Sequence, residues 1–141
     1  MAGLEKFETT PLSKLKYRLG VTPGEPTGIG PDICIQSADA ASTIAELIYY
    51  CDPAVMLARS DMLRHPITIN NLNDAPYQHG VMNIYPVQTA TPVDAGSPSV
   101  DNAPYVIKTL ELALADCQSQ KTQAIVTGPI NKSIINESGV A

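Results

Sequence analysis

The sequence predicts an α/β protein, built on a largely parallel sheet with helices on both faces. Three observations lead there. Unbroken apolar runs such as Leu47-Ile48-Tyr49-Tyr50-Cys51 are short enough for strands and continuous enough to be buried on both faces. They alternate with segments of helical periodicity, of which Val100, Ala103, Ile107, Leu110, Leu114 and Cys117 form the plainest apolar stripe. Two Gly/Pro-rich loops each follow a strand and lead into a helix, the order in which βαβ units are built.

Taken in order, Met1 to Lys16 carry three of the nine basic residues and little apolar periodicity, which reads as a solvated leader. Tyr17 to Val21 form a short strand that ends in Thr22-Pro23-Gly24-Glu25-Pro26-Thr27-Gly28-Ile29-Gly30-Pro31, too rich in proline and glycine for regular structure. Pro31 and Asp32 suit a first helical turn, where φ is pre-set and a negative charge meets the amide dipole, and the helix should run to about Ala38. After the strand at Leu47 to Cys51 comes Asp52-Pro53, then a helix over Ala54 to Leu63 stopped by His65-Pro66. Pro66 to Asn70 and Val81 to Val87 are short strands around a polar, Asn-rich loop. The apolar stripe from Val100 to Cys117 needs a helix that begins at or just before Pro104, with Asp101 or Asn102 as its cap. Ala124 to Thr127 read as another buried strand, broken by Gly128-Pro129. Ile130, Ile134 and Ile135 then line one face of a short helix that stops at Gly139.

Composition narrows the function. The 141 residues are 44% hydrophobic and 16% charged, which excludes a disordered chain, and the net charge of −5 gives no footprint for nucleic acid or an anionic membrane. No apolar run approaches the roughly 20 residues that span a bilayer, and no signal peptide opens the chain, so a cytosolic protein is expected. Cys34, Cys51 and Cys117 form no Cys-x-x-Cys pair and read as reduced core thiols. His65 and His79 stand in loops and read as solvent-exposed.

Both Gly/Pro loops lie where an open α/β sheet binds ligands, at the carboxyl ends of strands. Unpaired helix amides suit an anion there, and glycine lets the backbone approach it. The first loop is neither a P-loop nor a Gly-x-Gly-x-x-Gly fingerprint. Local spacing alone leaves two readings open, a ligand cradle and a plain strand-to-helix turn.

The residues carry a further signal. Thr22-Pro23-Gly24-Glu25-Pro26-Thr27-Gly28-Ile29-Gly30-Pro31-Asp32 resembles the N-terminal signature of the 4-hydroxythreonine-4-phosphate dehydrogenases of vitamin B6 biosynthesis. Thr127-Gly128-Pro129-Ile130-Asn131-Lys132, with Asn136 and Gly139, resembles their second signature, and Ser99 to Leu110 resembles their Glu/Asp-Asn-x-x-Tyr-Val helix start. The likeness covers residues 17–141, with the leader outside it and Pro104 a local departure.

The resemblance implies an isocitrate/isopropylmalate dehydrogenase-like fold, a two-domain homodimer and an active site between the domains. It implies oxidation of 4-phosphooxy-L-threonine with NAD, followed by loss of carbon dioxide. It also implies a divalent metal (zinc, magnesium or cobalt) on three histidines, which would polarise the alcohol oxygen. By the family's pattern those histidines and a Thr-Gly-His-Thr-Glu stretch lie beyond Ala141, so residues 17–141 are expected to be the N-terminal α/β portion, ending near entry to the second domain. By the same analogy Gly24, Glu25, Gly28, Ile29 and Gly30 lie near the cofactor. Thr127, Asn131 and Lys132 face the cleft, where they would meet a phosphate or carboxylate of the substrate. Two bland readings stand beside these, a solvated loop carboxylate for Glu25 and an exposed helix lysine for Lys132. Alternatives for the whole chain are an inactive truncated fragment with weak nucleotide binding, and a family member acting on another phosphorylated hydroxy acid.

Overall fold

The computed structural model describes residues 17–139; the leader expected over residues 1–16 lies outside them. Strands β1 (Tyr17–Thr22), β2 (Ala45–Cys51), β3 (Ile69–Asn71), β4 (Met82–Pro86) and β5 (Ala124–Thr127) make one sheet of order β3-β4-β2-β1-β5. Every pairing is parallel, with Val21 opposite Tyr49 and Val126, and Tyr49 opposite Ile84. The helices are α1 (Gly30–Ser42), α2 (Pro53–Leu63), α3 (Ala103–Gln118, entered through a 3-10 turn at Val100–Asn102) and α4 (Lys132–Glu137).

Alternation of side chains across the pleat splits the core in two. Val21, Leu47, Tyr49, Cys51, Met82 and Ile84 pack under α1 and α2 with Cys34, Ile35 and Met56. Ile48 and Tyr50 point the other way, onto Ala113 of α3. Connections from β1 and β2 step toward β3, whereas α3 carries the chain from β4 back across the sheet to β5. A right-handed crossover running in the opposite direction must use the opposite face, which puts α3 there. Helix α4 follows on the same side, with Ile135 against Val87, Tyr105 and Val106.

Several expectations are corrected. Helix α1 continues past Ala38 to Ser42, because the alanine-rich turn Ala38–Ala41 holds nothing that breaks a helix. The third strand covers only Ile69–Asn71. The stripe read along α3 is only partly the face that packs: Ala103 is buried, but Leu114 is 49% exposed and Val100 is exposed too. Tyr105, Val106, Thr109 and Ala113 are buried instead. Small residues decide this: Ala113 faces Gly20 of β1, so helix and sheet approach closely where a leucine would hold them apart. Asn102 sits at the N-cap of α3 but caps nothing; Ser99 caps the preceding turn through the Asp101 N–H at 3.3 Å. Strand β5 is not buried but an open edge, with Val126 50% exposed. Helix α4 begins after Ile130 and buries no residue, while Gly139 takes the left-handed φ of 76° expected past a helix end. Cys34 and Cys51 are buried thiols, and Cys117 is only half-buried.

Candidate functional site

All five strands run the same way, so their carboxyl ends gather the loops 23–29, 87–99 and 128–131 with Asp52 at one edge of the sheet. At neighbours β1 and β5 the chain leaves for opposite faces, toward α1 and α4. That divergence is the topological switch point of an open α/β sheet, where a crevice is left for a ligand.

The two Gly/Pro loops interlock across this crevice. Gly24 has φ +85°, and a Cβ there would overlap the Pro129 carbonyl oxygen. The same oxygen accepts from the Glu25 N–H at 2.9 Å, and the Gly128 N–H donates to the Thr22 carbonyl at 2.6 Å. Gly30 and Gly128 both lie hard against the Pro23 carbonyl, which a side chain at either position would strike. These glycines allow backbone to meet backbone.

Glu25 is not a solvated carboxylate. It is 7% exposed, and its Oε1 accepts from the Thr27 hydroxyl at 2.8 Å and from the Thr27 N–H at 3.3 Å. Behind the loop stands Arg59 of α2, 5% exposed. It donates to the carbonyls of Gly28 (2.8 Å) and Pro26 (2.9 Å) and to Asp32 Oδ1 (2.6 Å). The 87–99 loop is tied down separately. Asp52 caps α2 through the Ala54 N–H at 2.9 Å, and its other oxygen accepts from the N–H and hydroxyl of Thr89, both at 2.9 Å. The Tyr105 hydroxyl accepts from the Asp52 N–H at 3.0 Å, and burial pushes that phenol well above its usual range. Asn102, released from capping, accepts from the N–H groups of Ala90 and Thr91 at 3.0 and 3.1 Å.

Between the interlocked loops opens a cavity of about 540 Å³, reached by Glu25, Gly28, Ile29, Asn131 and Lys132. Asn131 spends its side-chain oxygen on capping α4, through the Ile134 N–H at 3.2 Å, while Lys132 is exposed. Gly24 does not line this cavity. Gly30 and Thr127 border a different one, an apolar space of about 280 Å³ between α1 and the β1–β5 side of the sheet. A larger hollow of about 720 Å³ lies on the α3 face of the sheet, lined by Arg18, Glu46, Tyr50, Tyr85 and Asp116. There Arg18 is paired with Glu46 at 2.8 Å and the Tyr50 hydroxyl donates to Asp116 at 2.7 Å. We place the candidate site at the switch point, where loops converge.

His65 is half-buried beyond the end of α2, and His79 is exposed, edge-on to Tyr77 at 5.3 Å. Among the described residues no three His, Cys, Asp or Glu side chains come together to hold a metal ion. No helix among them is long and apolar enough to cross a membrane.

Arg59, Asp32 and Asp52 are contributors that sequence reading passed over. For Asp52 the signal was present, an Asp-Pro pair at a helix start. For Arg59 it was a single cation among the apolar positions of 53–63.

Comparison with known proteins shows the family and the shared fold. The family model for "Pyridoxal phosphate biosynthetic protein PdxA" matches residues 43–141. The chain belongs to the PdxA family. A relative from Erwinia tasmaniensis, described as 4-hydroxythreonine-4-phosphate dehydrogenase, is 40% identical over 129 residues, 89% of this chain and 39% of that protein. One with the same description from Yersinia pseudotuberculosis is 42% identical over 127 residues. The chain therefore spans about two-fifths of the length of these PdxA relatives. The crystal structure of a 4-hydroxythreonine-4-phosphate dehydrogenase from Burkholderia phymatum superposes with a TM-score of 0.80 at 20% identity, over 89% of this chain and 40% of that one, which shows the shared fold.

Proposed function

We propose that this chain supplies the nucleotide-side portion of an NAD-dependent 4-hydroxythreonine-4-phosphate dehydrogenase. The observation that carries the reading is the cavity at the β1–β5 switch point, where the loop holding Glu25, Gly28 and Ile29 meets the one holding Asn131 and Lys132. Lys132, which the family resemblance puts with the substrate, shares this cavity with the cofactor-side loop, and we assign its cation to a phosphate of the nucleotide, while the buried Glu25 offers an acceptor to a hydroxyl. Ile29, exposed at the rim, gives a flat ring an apolar surface. Interlocking of the two loops sets these groups before a ligand arrives, which lowers the cost of binding. The cofactor, when bound, accepts the hydride from the secondary alcohol; the side chains here bind and orient.

The same reading takes 4-phosphooxy-L-threonine as substrate and a homodimer as the working assembly. A divalent metal belongs to it as well, and no cluster of three His, Cys, Asp or Glu among the described residues is placed to hold one. The first test is titration of the chain with NADH, followed by fluorescence. Saturable binding that Lys132→Ala weakens is the expected result; no binding at millimolar NADH refutes the reading. The second test adds the complementary segment of the Erwinia tasmaniensis relative, with 4-phosphooxy-L-threonine, NAD and a divalent metal. NADH formation is expected only from the combination.

A further inference from the structure

The Gly-rich loop takes its backbone orientation from a side chain some thirty residues away. Arg59 is buried on α2, which packs against α1, and its guanidinium reaches both the loop and Asp32 of α1. One guanidinium nitrogen serves the Gly28 carbonyl and Asp32, and the other serves the Pro26 carbonyl. A peptide unit is planar, and no bond among the described residues is cis. Drawing the Gly28 carbonyl onto Arg59 therefore turns the Ile29 N–H the opposite way. Drawing the Pro26 carbonyl back does the same to the Thr27 N–H, which meets Glu25 Oε1. Glu25, Gly28 and Ile29 all line the cavity. The guanidinium sets which face of the loop they present.

We propose that Arg59 is a positioning residue for the nucleotide site. Its fork locks the 26–27 and 28–29 peptide planes so that the Ile29 N–H and the Glu25 carboxylate are preset for a phosphorylated ligand that Arg59 never touches. The inference rests on the nucleotide reading of the cavity. A lysine would keep the charge beside Asp32, but as a compact point charge it lacks the planar fork that spans both carbonyls.

The test compares the wild type with Arg59→Lys by amide hydrogen exchange and by NADH titration. Exchange of the Gly28 N–H, bonded to the Glu25 carbonyl at 3.0 Å, should quicken at least tenfold while the β2 and β4 amides keep their protection. The Kd for NADH should rise about tenfold. Unchanged exchange at Gly28, or quickened exchange with unchanged NADH affinity, overturns the proposal. If the wild type binds no NADH, the nucleotide reading fails, and the latch is then judged on the exchange comparison alone. If Arg59→Lys does not fold, nitrogen NMR of the wild type decides. Slow exchange of the Arg59 guanidinium protons before NADH is added supports a preset latch, and fast exchange overturns it.

Discussion

Replacing Gly24 with alanine tests the interlock of the two loops directly, and Gly96 provides its control. Both glycines are left-handed, with φ of +85° and +81°, so alanine meets a similar backbone penalty at each, about 1 kcal/mol. Their surroundings differ. A Cβ at Gly96 would meet nothing within 4 Å, whereas at Gly24 it would overlap the Pro129 carbonyl oxygen and lie 2.9 Å from the Gly128 carbonyl carbon. Those neighbours are backbone and cannot swing aside. Relief requires the loops to part, at a packing cost of about 1–3 kcal/mol, and weakens the Glu25 to Pro129 hydrogen bond, worth about 1 kcal/mol. Gly96→Ala should thus cost about 1 kcal/mol and Gly24→Ala about 3–5 kcal/mol. At about 4 °C per kcal/mol for a domain of this size, melting temperatures should fall by about 4 °C and 12–20 °C respectively. Urea unfolding of both variants, with melting followed by circular dichroism, measures the difference. Equal losses within about 0.5 kcal/mol would refute the interlock and reduce Gly24 to an ordinary turn glycine.

Lys132→Ala should leave stability within about 0.5 kcal/mol, because the side chain is exposed, yet raise the Kd for NADH about tenfold; parallel melts and titrations showing the reverse pattern would remove Lys132 from the site. Asp52→Ala should cost about 2–3 kcal/mol through the lost cap and the lost bonds from Thr89, and limited proteolysis should then cut faster within 88–99; an unchanged cutting rate would count against Asp52 as the anchor of that loop. Burial pushes the Cys34 thiol from 9.0 up to about 12. A raised pKa favours the folded state while the thiol is neutral, so its contribution is complete below about pH 9 and is lost as pH climbs toward 12. Urea midpoints should decline over that window, and Cys34→Ala should flatten the decline; a variant that keeps the full slope would assign it to other groups.

The sheet was readable because its signals are local. Leu47 to Cys51 could only be a doubly buried strand, and Asp52-Pro53 and Gly139 mark element ends through their own chemistry. What failed to read from the sequence was set by partners distant along the chain. The leucine stripe of α3 satisfies every rule of helical periodicity, yet the packed face was chosen by Gly20, more than eighty residues earlier, which admits Ala113 and excludes bulk. Strand β5 has the composition of a buried strand and is nonetheless an edge, since no strand among the described residues pairs on its far side. Composition reports what a segment tolerates, and topology decides what covers it.

The site divides the same way, and the division bears on what its glycines mean. Read as a motif, the first loop gives all three glycines one purpose, close approach to a ligand. In the fold, Gly24 and Gly30 press against the carbonyls of Pro129 and Pro23, while Gly28, with only ordinary contacts around it, is the one of the three that lines the candidate cavity. Gly24 therefore joins the two loops and Gly30 closes the first loop on itself, and neither cradles a ligand. Their exactness of fit still serves binding, because the cavity exists only where the loops are held together. That arrangement also accounts for the buried Arg59. Once Gly24 and Gly30 fix where the loop runs, its peptide planes can still rotate, and a single planar cation behind it, facing two carbonyls and one carboxylate, removes that freedom.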